Sequence, residues 1–254
     1  MNARQPLSSA VGRGPVARPE ARPDRRQAIL LAAEKLFAQH GYHAVSIRQI
    51  ADEAGVPLAL VGYYFGPKNA LFEAIFEHWN HSIEARLAAL AALRIDPADA
   101  RTLPRIIQAF TAPVLALRAS SEGEYYALLV ARELSHATEE ADRVLRRYFD
   151  PLATAFIDAL QQALPHASRG QVAWGYQFAL GALLHHLVDQ RVARLSGGDN
   201  RPAEPAGGAL LVNFIVGGLR AALPRPRAAR AATAGGTPAS ASTTRRNNAR
   251  RQAP

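Results

Sequence analysis

Residues 47–66 read IRQIADEAGVPLALVGYYFG. Two short apolar-periodic segments flank a break at Gly55. Ser46 stands where a helix cap belongs, and the helix it opens runs from Ile47 to Ala54. Gly55 supplies a turn residue able to take positive φ. Pro57 suits the first turn of a second helix. Ala51 has to be small because the second helix crosses the first there. Ile50, Val56, Val61 and Tyr64 are spaced to close a small core between the two. Two helices joined by a tight turn around a small residue form a helix-turn-helix, whose second helix lies in a DNA major groove.

Working outward, residues 25–40 place Ile29, Ala33, Leu36 and Phe37 on one helical stripe, and Gly41 ends the run. Downstream of the motif, Pro67 opens a long helix reaching about residue 93. Further helices are expected over about 101–119, 122–137, 139–164 (interrupted at Pro151), 168–196 and 206–223, with a loop at about 197–208. Val, Ile and Thr never alternate with polar residues over a strand length, so the expected class is all-α. No repeat of fixed period is present.

The flanks carry a family likeness. Ala33-Glu34-Lys35-Leu36-Phe37 with Gly41, then Ser46 with Ile50-Ala51, then Ala54-Gly55-Val56, then Tyr64-Phe65 with Lys68 and Leu71 together resemble the DNA-binding domain of the TetR family of bacterial transcriptional regulators. The likeness is close over about residues 25–75. Beyond it the chain matches in being helical and of the expected length. Tyr63-Tyr64-Phe65 looks like a subgroup with a YHF or YYF ending to the recognition helix. Pro57 stands where the family usually has Ser or Thr, and Gly62 where it usually has Tyr. Gly62 costs roughly 1 kcal/mol of helix propensity.

The resemblance implies an N-terminal three-helix DNA-binding head, residues 25–70, and a larger helical effector-binding and dimerisation domain, residues 71–223. Tyr64 and Lys68 match the family's phosphate-contacting pair, and a helix N-terminus suits a phosphate. Ser46 is first a cap and then a phosphate contact. Arg48 and Gln49 reach phosphate or a base edge, or stay on a solvated helix face. Pro57, Leu58, Ala59, Gly62 and Tyr63 face outward, and such residues touch only thymine methyls or sugar. Direct readout is therefore sparse, and phosphate contacts and DNA shape carry more of the binding. Arg25 and Arg26 reach a groove or phosphate beside the head.

For the second domain the resemblance implies a cavity. Its candidate lining is Phe110, Tyr125, Tyr126, Leu129, Trp174 and Phe178, with polar groups Arg132, Gln177 and His185. An aromatic stripe at this spacing also reads as ordinary core. Arg132 either pairs with Glu133, Glu139 or a dimer partner, or meets a ligand carboxylate such as an acyl or aromatic acid. His185 and Asp189 share a helix face but lack a third ligand, so no metal is expected. Leu180, Leu183, Leu184, Leu187, Leu211, Phe214, Ile215 and Leu219, with Gly217-Gly218, supply faces for a homodimer through the last two helices, and hence a pseudo-palindromic double-stranded operator.

The sequence has 254 residues, 30 Lys+Arg, 21 Asp+Glu, no cysteine and a net charge of +9. Only Lys35 and Lys68 are lysines. Residues 1–26 carry +4 and residues 224–254 carry +7, which leaves −2 in 27–223. The basicity belongs to the Arg/Pro-rich residues 1–26 and the Ala/Thr-rich residues 224–254, of which 1–24 and 224–254 read as a disordered arm and tail. The tail adds unspecific, salt-sensitive DNA affinity or nothing measurable. Lack of cysteine excludes a disulfide scaffold, thiol catalysis and Cys-ligated zinc. No Gly-rich phosphate loop, GxSxG or HExxH occurs, so an enzyme is not expected, and no cofactor is implied. Apolar runs such as 209–219 fall short of a membrane span, and the first 25 residues lack a secretory h-region, so the expected place is the cytoplasm. The function expected is a repressor released from its operator by a small hydrophobic or amphipathic ligand. Its alternatives are an activator, a regulator gated without a small ligand, and a nonspecific nucleic-acid binder.

Overall fold

Asp24 starts the first helix of the computed structural model, which describes residues 24–135, 138–202 and 204–223. The expected arm, apart from Asp24, and the expected tail lie outside the described residues. The Asp24 carboxylate accepts from the backbone N–H groups of Arg26 and Gln27 at 3.0 and 3.2 Å, capping α1, Arg25–His40. Gly41 closes α1 with φ +85, and its N–H donates to the Phe37 carbonyl at 2.8 Å. Only glycine fits there: a Cβ would also lie 2.9 Å from Nε of Arg132.

Ser46 caps α2, Ile47–Glu53, in a capping box with Gln49. Gly55 turns the chain at φ +64, and α3 follows as Leu58–Phe65. Pro57 sits at its N-cap with no side-chain cap bond, as expected from the missing hydroxyl. Next come α4, Lys68–His78, and α5, Asn80–Ala91. The expected single helix over 67–93 is therefore two. The break falls at Trp79 (φ −92, ψ 4), with neither Pro nor Gly beside it. Its indole N–H donates to Glu34 Oε2 on α1 at 2.7 Å, a tertiary bond that holds the ring where the helix is interrupted.

The remaining helices are α6, Thr102–Ala119; α7, Glu124–Ser135; α8, Glu139–Val144; α9, Asp150–Ala163; α10, Arg169–Val188; α11, Val192–Leu195; and α12, Pro205–Ala222. A π-helical turn, Leu145–Phe149, joins α8 to α9. The interruption expected at Pro151 thus takes the form of a widened turn just before it. Proline cannot donate to the carbonyl four residues back, and it is tolerated in the first turn of a restarted helix. The helix expected over 168–196 ends at Val188, because Asp189 turns outward (ψ 114) and binds the backbone N–H and guanidinium of Arg191.

The core runs continuously from head to body. Phe37, Phe72 and Phe76 meet in edge-to-face contacts at 5.5 and 5.2 Å between centroids, and Phe76 reaches Tyr126 at 5.9 Å. Helix α1 packs along α7, and α12 against α6 and α10. Helix α12 alone among the described residues is long and apolar enough to cross a membrane, with a mean hydropathy of 1.3. One face of it, carrying Leu211, Ile215, Val216 and Leu219, is buried in the protein core.

Candidate nucleic-acid interface and effector cavity

The head is built by local rules. Helix α3 buries Val61 and Phe65 and turns its other face outward. Pro57, Leu58, Ala59, Gly62, Tyr63 and Tyr64 are all exposed, Tyr63 to 80 %. The two tyrosine rings meet edge to face at 5.2 Å. Ala51 is buried where α2 meets α3, and its carbonyl accepts from the Val56 N–H at 3.0 Å across the turn.

Ser46, Arg48 and Gln49 are exposed at the start of α2. Gln49 is partly committed, because its Oε1 accepts from the Ser46 N–H at 2.8 Å. Arg25 and Arg26 are exposed at the start of α1, and the Arg26 guanidinium lies 4.9 Å from the Phe65 ring centroid, beside the end of α3. Lys68, at the start of α4, holds its ammonium 4.3 Å from the Tyr42 ring centroid. Partial burial lowers its pKa, against the opposing pull of Glu140. All twelve lie on α1–α4 or at their N-caps, eleven of them exposed, with Lys68 folded back on an aromatic ring.

The body encloses a cavity of about 200 Å³ between α5, α6, α7, α9 and α10. Of the candidate lining residues, Phe110, Tyr126 and Gln177 line it. The other ligand candidates lie elsewhere. Leu129 is fully buried in the core. Tyr125 lines a surface depression beside α1 and Trp79. Arg132 packs against Gly41, at the α1–α7 contact. Trp174 and Phe178 stack on each other at 5.7 Å on the outer face of α10, 64 % and 66 % exposed. His185 is exposed and pairs with Asp189 at 3.0 Å. That carboxylate is held far below its usual range by hydrogen bonds from Arg191. Helix α10 is apolar nearly all round, so its sequence did not reveal which face turns inward.

Three residues outside the site candidates, Arg86, Trp79 and Glu34, stand at the cavity or beside it. Arg86 lines it from α5 at 9 % exposure. Tyr126 stacks on Trp79, with centroids 5.1 Å apart and planes 16° apart, and Trp79 bonds Glu34. A chain of contacts therefore runs from the cavity wall to α1 of the head. Burial raises the Glu34 carboxyl to about 7, although the indole N–H and the Tyr126 backbone favour its charged form. Burial likewise raises the Tyr126 hydroxyl pKa, and its oxygen has no hydrogen-bond partner among the described residues. A signal for two of these was present in the sequence. Glu34 interrupts the stripe Leu30, Ala33, Phe37, and Arg86 the stripe Ile83, Leu90. A charge on an apolar stripe is a buried charge that needs a reason.

A second apolar feature is an open groove between α10 and α12, lined by Trp174, Gly175, Phe178, Phe214 and Gly218. Phe214 and Leu210 are 69 % and 70 % exposed. A Cβ built on Gly217 or Gly218 meets nothing within 4 Å. Leu183, Leu187, Leu211, Ile215 and Leu219, expected at a dimer face, are instead buried within the chain. Among the described residues no group of three or more His, Cys, Asp or Glu is placed to hold a metal ion.

Comparison with known proteins adds the following. The family described as "Bacterial regulatory proteins, tetR family" matches residues 29–75, and "Tetracyclin repressor-like, C-terminal domain" matches residues 108–218. The chain is 28 % identical over 196 residues to the HTH-type transcriptional regulator BetI of Brucella canis, spanning 77 % of this chain and 92 % of that one. In fold it resembles a TetR-family transcriptional regulator from Bordetella parapertussis, with a TM-score of 0.57 and 18 % identity over 76 % of this chain and 94 % of the other. It also resembles a putative transcriptional regulator from Saccharomonospora viridis, determined in complex with choline, with a TM-score of 0.50 and 16 % identity over 77 % and 95 %.

Proposed function

Since the chain belongs to the TetR family and is a DNA-binding transcriptional regulator, we propose that it acts as a homodimeric repressor released from DNA by a small hydrophobic or amphipathic effector. Residues 25–70 act as the DNA head and 71–223 as the effector and dimer body. The cytoplasm of a bacterium, where chromosomal DNA lies, is its place of action. The family is one of regulators and not of enzymes. The observation that carries this reading is the contact chain Tyr126–Trp79–Glu34, which ties the cavity wall to α1 of the head. A ligand that moves Tyr126 displaces the Trp79 ring, and with it the α4–α5 break and α1. Any such shift changes the spacing of two heads held on one dimer.

The exposed face of α3 supports groove entry, with Leu58, Ala59, Gly62, Tyr63 and Tyr64 against sugars and thymine methyls and the Tyr63-Tyr64-Phe65 ending as a subgroup mark. Arg25, Arg26, Ser46, Arg48, Gln49, Pro57 and Lys68 frame it with phosphate contacts. The outer faces of α10 and α12 support the dimer, with Trp174, Phe178 and Phe214 as aromatic anchors and Gly217-Gly218 admitting a close backbone. The choline bound by the Saccharomonospora viridis protein supports a small-molecule site in this fold. At 16 % identity it does not carry the identity of the ligand.

Selection of bound fragments from genomic DNA is expected to return a pseudo-palindromic site with half-sites one helical turn apart, about 34–36 Å. Fragments without twofold character would overturn the dimeric reading. Lys68→Ala is expected to weaken operator and unrelated DNA by similar factors and to lower the salt slope of binding by about one. An unchanged slope would mean that the ammonium stays on the Tyr42 ring and meets no phosphate.

A further inference from the structure

The cavity contains a cation with no anion at ion-pair distance. Arg86 lies on the stripe Ile83, Arg86, Leu90 that α5 turns into the protein, and it is 9 % exposed. Among the described residues it has no hydrogen-bond or ion-pair partner. Its strongest electrostatic neighbours are two neutral phenols, Tyr126 and Tyr176, whose hydroxyls burial keeps protonated. Asp150 lines the same cavity but is exposed, and it is not in ion-pair distance of Arg86. Arginine does not shed its proton in a protein, so the charge stays. A buried charge left unpaired is strongly unfavourable, and natural chains pair such groups.

Two donors belong to residues that line the cavity and sense each other electrostatically. The Arg86 guanidinium offers a planar fork, and the Tyr126 hydroxyl has no hydrogen-bond partner among the described residues. The rest of the wall is largely apolar, with Phe110, Leu117, Val130, Leu183 and Leu187 among its residues. One fork and one hydroxyl fit one carboxylate. A dianionic phosphate would bring a second charge that nothing here balances. A quaternary ammonium would face a like charge, and a hydrocarbon would leave the guanidinium as it is. A cavity of about 150 Å³ accepts benzene, so about 200 Å³ suits a short acyl chain or one aromatic ring.

We propose that this cavity binds a small amphipathic monocarboxylate, its carboxylate held by Arg86 and the Tyr126 hydroxyl and its hydrocarbon part by the apolar wall. This rests on the reading of the cavity as the effector site. Arg86, and not Arg132, is then the acid-binding residue. Arg132 is engaged at Gly41, outside the cavity.

The test uses the full chain at pH 7 and three probes: octanoate, 1-octanol and choline. Binding is followed by titration calorimetry and by emission of Trp79 in a Trp174→Phe background, because Trp174 is on the outer surface and Trp79 stacks on the cavity wall. Octanoate is expected to bind about 30-fold or more tightly than 1-octanol, the usual scale for a buried charge pair. Choline should not compete. In Arg86→Met the octanoate advantage should vanish while 1-octanol binds at least as well as before. Arg86→Lys, which keeps the charge but loses the fork, should fall between them. If Arg86→Met does not fold, the wild-type and Arg86→Lys ratios still decide.

Equal binding of octanoate and 1-octanol, or undiminished octanoate binding in Arg86→Met, would overturn the acid inference and leave the effector cavity standing. Tightest binding by choline would do the same, reversing the sign of the ligand. Binding by none of the three would overturn the effector cavity together with the inference built on it.

Discussion

A chain carrying Phe178→Arg and Phe214→Arg is expected to run as a monomer at micromolar concentration and to bind operator DNA about 10²–10⁴-fold more weakly than its parent. Both rings are about two-thirds exposed, so their replacement leaves the core intact, and surface changes of this kind usually move stability by about 0.5 kcal/mol or less. In the proposed dimer they serve as aromatic anchors, each worth about 2 kcal/mol or more on truncation, and the introduced arginines add like charges to the face that would pair with its copy. A monomer keeps one head and loses the second, effectively intramolecular, binding event. Its salt slope should fall to about half, because it neutralises about half as many phosphates. Sedimentation and a salt series on operator DNA test both parts. A double variant that remains dimeric would place the interface elsewhere.

Glu34→Gln is expected to stabilise the protein above pH 7 and to remove a pH dependence that the parent shows between about 4.5 and 7. The Glu34 carboxyl is 1 % exposed and titrates near 7, against an ordinary value of 4.5. The folded state therefore binds more protons than the unfolded chain between those values, and stability falls as pH rises through that window. Above pH 7 the full penalty applies, on the order of 3 kcal/mol. Glutamine cannot ionise and still offers an oxygen to the Trp79 indole. Urea midpoints from pH 4 to 8 should then show the two proteins converging at the acid end and diverging at the basic end. A variant less stable than the parent at every pH would show that the charged carboxylate is needed. Because Glu34 joins α1 to the Trp79–Tyr126 stack, the same substitution should alter how strongly an effector weakens DNA binding.

The two cases mark the limits of reading from sequence. The helix-turn-helix was legible because each of its signals acts within a few residues. Ser46 caps its own helix, Gly55 takes a positive φ in its own turn, and Ala51 is small beside a turn whose Val56 N–H, five residues on, donates to its carbonyl. The charge sums likewise kept net charge from being read as a basic DNA-binding body. The dimer face and the cavity lining were not separable in this way. Helix α10 carries Trp174, Phe178, Leu180, Leu183, Leu184 and Leu187 around its circumference, so core, cavity and outer surface present the same residue types. By sequence Trp174 and Phe178 read as ligand-lining for that reason, and the fold turns them outward.

What the sequence determined by itself was the class, the head and its turn, since capping, glycine geometry and helical period are local. The tertiary structure decided where the long helix breaks, which face of α10 meets the cavity, and that Arg86 and Glu34 are buried. The helix breaks at Trp79, whose indole is held by a carboxylate 45 residues earlier. A charge becomes costly only when neighbouring helices remove its water, and no pattern along one helix says which neighbours will do so.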